Sequence, residues 1–165
     1  MATRRANVLG LGLIGGSLSL ALAKQGFLVT GDDLDKEVAN MALARGMIGA
    51  VGIDPEAEIS FVATPVSSVP EQAKLALAKT KGIVTDVGGV KSSVVNQVSD
   101  SRFIGGHPMA GSELSGLDGA DDALFEGAVW VLTPSSESSD ETFEKLAKII
   151  GTLGAEIVVL DAIRH

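Results

Sequence analysis

Three glycines near the amino terminus have the spacing of a backbone that receives phosphate groups. Gly10, Gly12 and Gly15 form a G-x-G-x-x-G pattern, which follows the apolar run Ala6–Leu9 and precedes apolar residues at helical spacing from Ile14 onward. Gly10 permits a tight turn after a strand, Gly12 lets the backbone approach a ligand, and Gly15 lets a helix pack on that strand. The N–H groups and partial positive charge of the helix N-terminus would face the phosphates. The pattern predicts a dinucleotide-binding turn.

Two acidic residues follow the next predicted strand, Phe27–Thr30. Asp33 lies 23 residues after Gly10, where a carboxylate accepts hydrogen bonds from the hydroxyls of an adenosine ribose. A carboxylate there repels the additional phosphate of NADP, and no arginine stands beside it, so NAD is the expected cofactor. Alternatively, Asp32 and Asp33 are turn and capping residues before the helix near Lys36. We expect cofactor contacts from this pair and from Gly10, Gly12, Leu13, Ile14 and Gly15.

Composition restricts the class of protein. The 165 residues suffice for one domain with a proper core, and 45% hydrophobic with 21% charged residues is an ordinary globular composition. A net charge of −8 argues against a nucleic-acid partner, and the chain has no cysteine for a disulfide or a thiolate-bound zinc. We expect no metal site and no membrane association, and a cytoplasmic location is compatible with the missing cysteine.

Arg4 and Arg5 before an apolar stretch also resemble a signal peptide, but a first strand and helix give the same pattern.

Strands and helices are predicted in alternation, which indicates parallel strands joined by crossover helices. The expected fold is α/β, a Rossmann-type doubly wound, mostly parallel sheet with helices on both faces, over residues 1–160. The predicted helices are Lys36–Arg45, Val69–Lys79, a short helix through Val90, Val94 and Val98, and a last helix through Phe143, Leu146, Ile150 and Leu153. The further predicted strands are Ile59–Thr64, Lys81–Asp86, Arg102–Gly105, Ala128–Thr133 and a final buried strand, Ala155–Leu160.

A histidine stands where the predicted topology places ligands. Parallel sheets of this class bind ligands beyond the carboxyl ends of the strands. His107 lies in the predicted loop Gly105–Glu113, directly after a strand, and Pro108 restricts its backbone to extended geometry. An imidazole can accept a proton near neutral pH, which suits a general base. The alternative is a loop histidine that is solvated or bonded to nearby backbone.

Three segments together resemble a known family. The glycine turn, the stretch T-D-V-G-G-V-K at Thr85–Lys91 and G-G-H-P-M-A-G-S-E at Gly105–Glu113 are similar to the dinucleotide-binding half of prephenate and arogenate dehydrogenases. These enzymes of tyrosine biosynthesis oxidise and decarboxylate a cyclohexadienol. The resemblance covers essentially the whole chain, and the G-G-H-P-x-A-G-[ST]-E pattern is its most specific part.

The resemblance implies roles for particular residues. His107 matches the histidine that hydrogen-bonds the substrate hydroxyl and draws its proton while hydride passes to the nicotinamide. Ser112 and Glu113 match positions that line the substrate pocket. Thr64 and Pro65 match a loop bordering the cofactor, and Asp86 is placed with the cofactor-binding residues. The implied substrate is a small molecule, prephenate or arogenate.

Two departures from the family pattern affect these expectations. Gly89 stands where the family usually has a serine that helps hold the substrate hydroxyl, so a water, or Ser92 or Ser93, would have to replace it. Lys91 matches the family lysine and is assigned either to the substrate pocket or to a structural charge at a helix start. Residues 161–165 correspond to the start of a helical substrate and dimerisation domain that this chain lacks, with His165 at a family histidine position. The intact enzyme is expected to be a homodimer, and this chain a monomer.

Two other functions remain open. The first is a related β-hydroxyacid or imine-type dehydrogenase, which usually places a catalytic lysine or aspartate on later helices. The second is a non-catalytic NAD-binding module that senses redox state, which Gly89 would favour. Fold alone does not distinguish these alternatives, whereas the histidine-containing pattern favours the first family.

Overall fold

The computed structural model describes residues 3–89, 94, 96–111 and 114–161 of the chain. The strands, in chain order, are β1 (Arg4–Leu9), β2 (Phe27–Asp32), β3 (Ala50–Val51), β4 (Ile59–Val62), β5 (Ile83–Asp86), β6 (Phe103–Met109), β7 (Val129–Thr133) and β8 (Glu156–Val159). The longer helices are α1 (Leu13–Lys24), α2 (Lys36–Ala44), α3 (Val69–Lys79) and α4 (Asp140–Thr152). No helix in the described ranges is long and apolar enough to cross a membrane.

The eight described strands form one sheet in the order β3-β2-β1-β4-β5-β6-β7-β8. The chain begins inside the sheet, builds outward to β3, and then crosses back past β1 to build outward in the other direction. Every neighbouring pair is parallel except β6 and β7, which are antiparallel. This order confirms the predicted α/β class and the doubly wound, mostly parallel Rossmann-type sheet.

Helices cover both faces of the sheet. Consecutive residues of a strand point to opposite faces, so one strand contributes side chains to the packing on both sides. Phe61 of β4 belongs to a buried apolar cluster that includes Leu18 of α1 and Leu146 of α4. Its neighbour Val62 belongs to a second cluster, which includes Ala73 of α3. Each such fully buried aliphatic or aromatic side chain contributes roughly 1.5–3 kcal/mol relative to exposure. The sheet is therefore held between two apolar layers, which leaves its carboxyl edge to carry polar groups.

The segment that contains the histidine is a strand, which corrects the predicted glycine-rich loop. The pattern placed a strand at Arg102–Gly105 followed by a loop, whereas β6 continues to Met109. Antiparallel pairing with β7 extends it, from Gly105 opposite Thr133 to Met109 opposite Val129. Thr85 of β5 pairs with Ile104, and β5 ends one residue later. Strand β6 therefore projects past the end of β5, and carries His107 over the carboxyl edge of the sheet.

The last strand is mostly exposed, which corrects the predicted buried strand Ala155–Leu160. Strand β8 is the edge of the sheet and pairs only with β7 among the described strands. Glu156, Val158 and Val159 are exposed, while Ile157 packs against the core that contains α4. An apolar run of this length is typical of a strand covered on both faces, but here an edge position leaves it open.

Other predicted elements agree more closely. Helix α3 covers Val69–Lys79 as predicted, with Pro70 in its first turn, where its missing N–H has no partner to lose. Val94 and Val98 of the predicted short helix are buried, while Val90 lies outside the described residues. The short strand β3 was not predicted, since two residues carry no periodic signal.

Candidate functional site

The glycine turn connects β1 to α1 and brings the start of the helix to the carboxyl edge of the sheet. Gly10 has a φ of +97°, and a Cβ there would lie 2.5 Å from the carbonyl carbon of Ala63. A Cβ on Gly15 would overlap the carbonyl oxygen of Gly10. In contrast, apart from its own chain neighbours, no described residue has an atom within 4 Å of a Cβ built on Gly12. The first and last glycines are therefore required by packing, whereas Gly12 keeps open the space in front of the helix N-terminus.

Asp33 is attached to this turn. Its Oδ2 accepts a 2.7 Å hydrogen bond from the backbone N–H of Leu11, and its Oδ1 accepts one of 2.9 Å from the N–H of Asp35. A carboxylate can accept about four hydrogen bonds, so capacity remains for ribose hydroxyls. The bond to Leu11 fixes the carboxylate beside the glycine turn.

Asp32 has a different environment, although it is adjacent in sequence. It is the last residue of β2, and its Oδ1 accepts hydrogen bonds from the N–H of Asp33 at 2.8 Å and from the Lys36 ammonium at 2.7 Å. The capping role proposed as the alternative for this pair belongs instead to Asp35, whose side chain accepts from the N–H of Glu37 and caps α2. The ion pair leaves Asp33 as the carboxylate of this pair that no Lys or Arg side chain neutralises in the described part of the chain.

Asp33 lines three cavities, and two of these meet beside the glycine turn. One, of about 230 Å³, extends between Asp32, Ile53 and Leu75, and the other, of about 470 Å³, extends past Gly12 and Pro65. Both cavities are lined by Gly10, Asp33, Leu34 and Thr64. The Thr64 hydroxyl is buried and has no hydrogen-bond partner in the described structure. A buried hydroxyl without a partner is costly, so this group fits a site that a polar ligand completes.

His107 lies beyond the end of β5, half-buried in β6. The turn after β5 approaches its ring, so that a Cβ on Gly89 would lie 3.7 Å from Cε1 and 3.8 Å from Nε2 of the imidazole. The φ angle of Gly89 is not in the positive range that favours glycine. Its backbone therefore does not require glycine, and the missing side chain leaves space beside the imidazole.

Asp86 ends β5 and is fully buried. Its Oδ2 accepts from the N–H of Gly88 at 3.0 Å, and its Oδ1 accepts from the N–H of Gly106 at 3.2 Å. Two backbone N–H groups thus bind this carboxylate inside the protein. Lys91, Ser112 and Glu113, the other predicted site residues, lie outside the described residues, as does His165.

Sequence reasoning did not find several residues of this site. Ile53, Gln72 and Leu75 line the smaller cavity, and only the folding of α3 and the loop after β3 against the turn brings them there. Gly106 carried a signal, because glycine inside a strand often marks a close backbone approach. A Cβ there would lie 2.8 Å from the carbonyl oxygen of Asp86. The described residues contain no group of three or more His, Asp or Glu that could hold a metal ion.

A doubly wound sheet with a glycine turn, an open helix N-terminus and an acidic residue after the second strand defines a dinucleotide-binding domain. A family model described as "Prephenate dehydrogenase, nucleotide-binding domain" matches residues 18–159. The chain belongs to the prephenate dehydrogenase family. It is 39% identical to the prephenate dehydrogenase of Lactococcus lactis over 173 residues, which cover 96% of this chain and 47% of that protein.

The solved structures that this chain resembles include members of the same family. The arogenate dehydrogenase of Synechocystis matches with a TM-score of 0.90 and 32% identity, over 98% of this chain and 61% of that one. The prephenate dehydrogenase of Aquifex aeolicus, in complex with hydroxyphenyl propionate and NAD+, matches with a TM-score of 0.91 and 25% identity, over 100% of this chain and 62% of that one. The chain spans about half the length of the curated relatives it matches.

The packing of the turn predicts unequal effects on stability for two alanine substitutions. Gly15→Ala should lower the free energy of unfolding by about 1–3 kcal/mol, because its Cβ has no space against the Gly10 carbonyl. Gly12→Ala should change it by less than about 0.5 kcal/mol, since Gly12 has an ordinary φ of −81° and open surroundings. Urea unfolding followed by circular dichroism measures both. Equal destabilisation by the two substitutions would contradict this assignment.

Proposed function

We propose that this chain binds NAD and supplies the cofactor site and the proton-accepting histidine of a prephenate or arogenate dehydrogenase. The observation that carries the proposal is the placement of His107 at the same carboxyl edge as the glycine turn and Asp33. Family membership and the titles of the two solved relatives support the substrate class and the cofactor. The position of the imidazole at this edge favours an enzyme over a non-catalytic module.

The two cavities suggest how NAD is held. The smaller cavity has apolar walls at Ile53 and Leu75 that suit an adenine ring. Asp33, where the cavities meet, would accept hydrogen bonds from the adenosine ribose, and the pyrophosphate would lie over Gly12 at the start of α1. The Thr64 hydroxyl would gain its missing partner from the bound dinucleotide. Asp33 also disfavours the additional phosphate of NADP.

His107 then acts on the substrate. NAD, when bound, supplies the acceptor for the hydride that leaves the ring carbon bearing the hydroxyl. His107 takes the proton of that hydroxyl, so that the carbon can become a carbonyl carbon. As the carboxylate leaves as carbon dioxide, its bonding electrons complete the aromatic ring, and the histidine returns the proton to the phenolic oxygen. Aromatisation makes the sequence strongly favourable.

The rest of the pocket belongs to the proposal as well. Lys91, Ser112 and Glu113 are assigned to the substrate side of the pocket. The part of the relatives that this chain does not span would supply the remaining substrate contacts and the homodimer interface of an intact enzyme. The cytoplasm, where small-molecule biosynthesis takes place, is the proposed location.

The first test is a calorimetric titration with NAD and NADP. Wild type should bind NAD in clear preference to NADP. Asp33→Asn should weaken NAD binding about tenfold and reduce this preference, because it removes a charged acceptor and the repulsion of a phosphate. Asp35→Asn is the matched control, since it removes one charge from the same loop and asparagine also caps helices well. Equal losses for the two variants would mean that general charge, not the ribose contact, controls affinity.

The second test concerns the histidine. His107→Gln should lower turnover by roughly 10²–10⁴-fold, the usual contribution of a general base, and leave the NAD dissociation constant within about threefold. NADH absorbance during incubation with prephenate and with arogenate measures the rate, and calorimetry measures cofactor binding. Turnover retained by the variant would refute the base assignment. A wild-type chain that binds NAD but oxidises neither substrate would refute the catalytic proposal for this chain by itself.

The third test concerns the space beside the imidazole. Gly89→Ser should fold like the wild type, because its Cβ would make ordinary contacts of 3.7–3.8 Å with the His107 ring. Its hydroxyl should raise turnover by up to about tenfold, the value of one well-placed hydrogen bond. Gly89→Ala fills the same space without a hydroxyl and serves as the control. If alanine and serine change the rate equally, the hydroxyl has no role.

A further inference from the structure

The carboxylate of Asp86 lies between the two segments that meet at the imidazole. Its Oδ2 accepts from the N–H of Gly88, which directly precedes Gly89 in the turn after β5. Its Oδ1 accepts from the N–H of Gly106, which directly precedes His107 in β6. One side chain therefore joins, through its two oxygens, the backbone on both sides of the space beside His107.

Asp86 is also poorly placed to contact a cofactor. The residue has no exposed surface, whereas Asp33 and Thr64 line open cavities. Taking a carboxylate out of water is unfavourable unless its oxygens receive hydrogen bonds, and bonds to an ionised acceptor are the strong ones. Two backbone N–H groups, of Gly88 and Gly106, supply such hydrogen bonds from within the protein.

The backbone around Asp86 is close-packed, which makes the placement sensitive. A Cβ on Gly106 would lie 2.8 Å from the Asp86 carbonyl oxygen, so β6 lies directly against the end of β5. The N–H of Val87 donates a 3.1 Å hydrogen bond to the carbonyl of Val62, which anchors the start of the turn on β4. The turn thus leaves β5 from a fixed point, and the carboxylate of Asp86 connects it to β6.

We infer that Asp86 is a positioning residue, which holds the turn carrying Gly89 against the strand carrying His107 and does not contact the dinucleotide. The inference rests on the proposed function only in that His107 is the base whose position matters. The hydrogen bonds that define it can be measured whether or not the chain turns over. A failure of the inference is therefore distinguishable from a failure of the proposed function.

The test is Asp86→Asn in the 165-residue chain. Asparagine keeps the shape of the side chain but has one oxygen, and its NH₂ group cannot accept from a backbone N–H. One of the two bonds must therefore be lost. In ¹H–¹⁵N spectra, the amide resonance of Gly88 or Gly106 should move upfield, and the ring resonances of His107 should shift. The NAD dissociation constant should change less than about threefold in calorimetry.

Asp100→Asn is the matched control. Asp100 accepts from the N–H of Arg102 at 2.9 Å, two residues later, in the same local arrangement as Asp86 with Gly88. It precedes β6 at the end of the strand remote from His107, so its substitution should leave the His107 ring resonances unchanged. A shift of equal size in both variants would show a general effect on the strand and overturn the inference.

Two further outcomes are decisive. A loss of NAD affinity of tenfold or more with unchanged His107 resonances would make Asp86 a cofactor residue, as the sequence suggested. If Asp86→Asn does not fold, the wild-type chain provides the measurement. Its Gly88 and Gly106 amide protons should both lie downfield and exchange slowly with solvent, as expected of buried bonds to a carboxylate. Rapid exchange at either amide would contradict the inference.

Discussion

A close backbone contact between the two ends of the β1–α1 turn determines most of the site. With no side chain on Gly15, α1 begins directly against the carbonyl of Gly10, and Gly10 in turn lies against the backbone of Ala63 at the end of β4. This contact orients the N–H groups at the start of α1 toward the carboxyl edge of the sheet. It also places the N–H of Leu11 where it holds the carboxylate of Asp33. The carboxylate of Asp33 and the start of α1 are thereby fixed to each other.

The other half of the site depends on strand pairing. His107 reaches the carboxyl edge because β6 continues past the end of β5 and exchanges one partner for another. Its first residues pair with β5 and its last five with the antiparallel β7. Pro108, which cannot donate a ladder hydrogen bond, lies in the part of the strand that β5 no longer reaches, a position that strands tolerate. A histidine in a paired strand is held more rigidly than one in a loop, which suits a group that must meet a particular hydroxyl.

Local patterns predicted the parts of this structure that depend on local physics. The glycine spacing, the carboxylate after β2 and the full extent of α3 were readable because each reflects a steric or periodic demand within a short stretch. The strand at Gly105–Met109 was not, because glycine and proline favour turns and only β7, more than 20 residues later, makes this segment a strand. The burial of Asp86 and the approach of Gly89 to His107 are likewise contacts between distant segments. Such contacts follow from the assembled sheet, and one sequence does not encode them in any short pattern.

The electrostatics of the cofactor edge raise a separate question, since a chain of net charge −8 is proposed to bind an anionic dinucleotide. The two carboxylates near the turn each have particular partners. Asp32 is paired with Lys36, and Asp33 receives two backbone N–H groups, which spread part of its charge into the adjacent peptides. The pyrophosphate would face the start of α1, where the partial positive charge of the helix acts only within about one turn. Charges elsewhere on the acidic surface are screened over about 8 Å at physiological ionic strength, so they oppose binding weakly. Recognition by backbone N–H groups would therefore let an acidic protein hold a phosphate ligand, while the carboxylate of Asp33 at the proposed ribose site would disfavour a further phosphate.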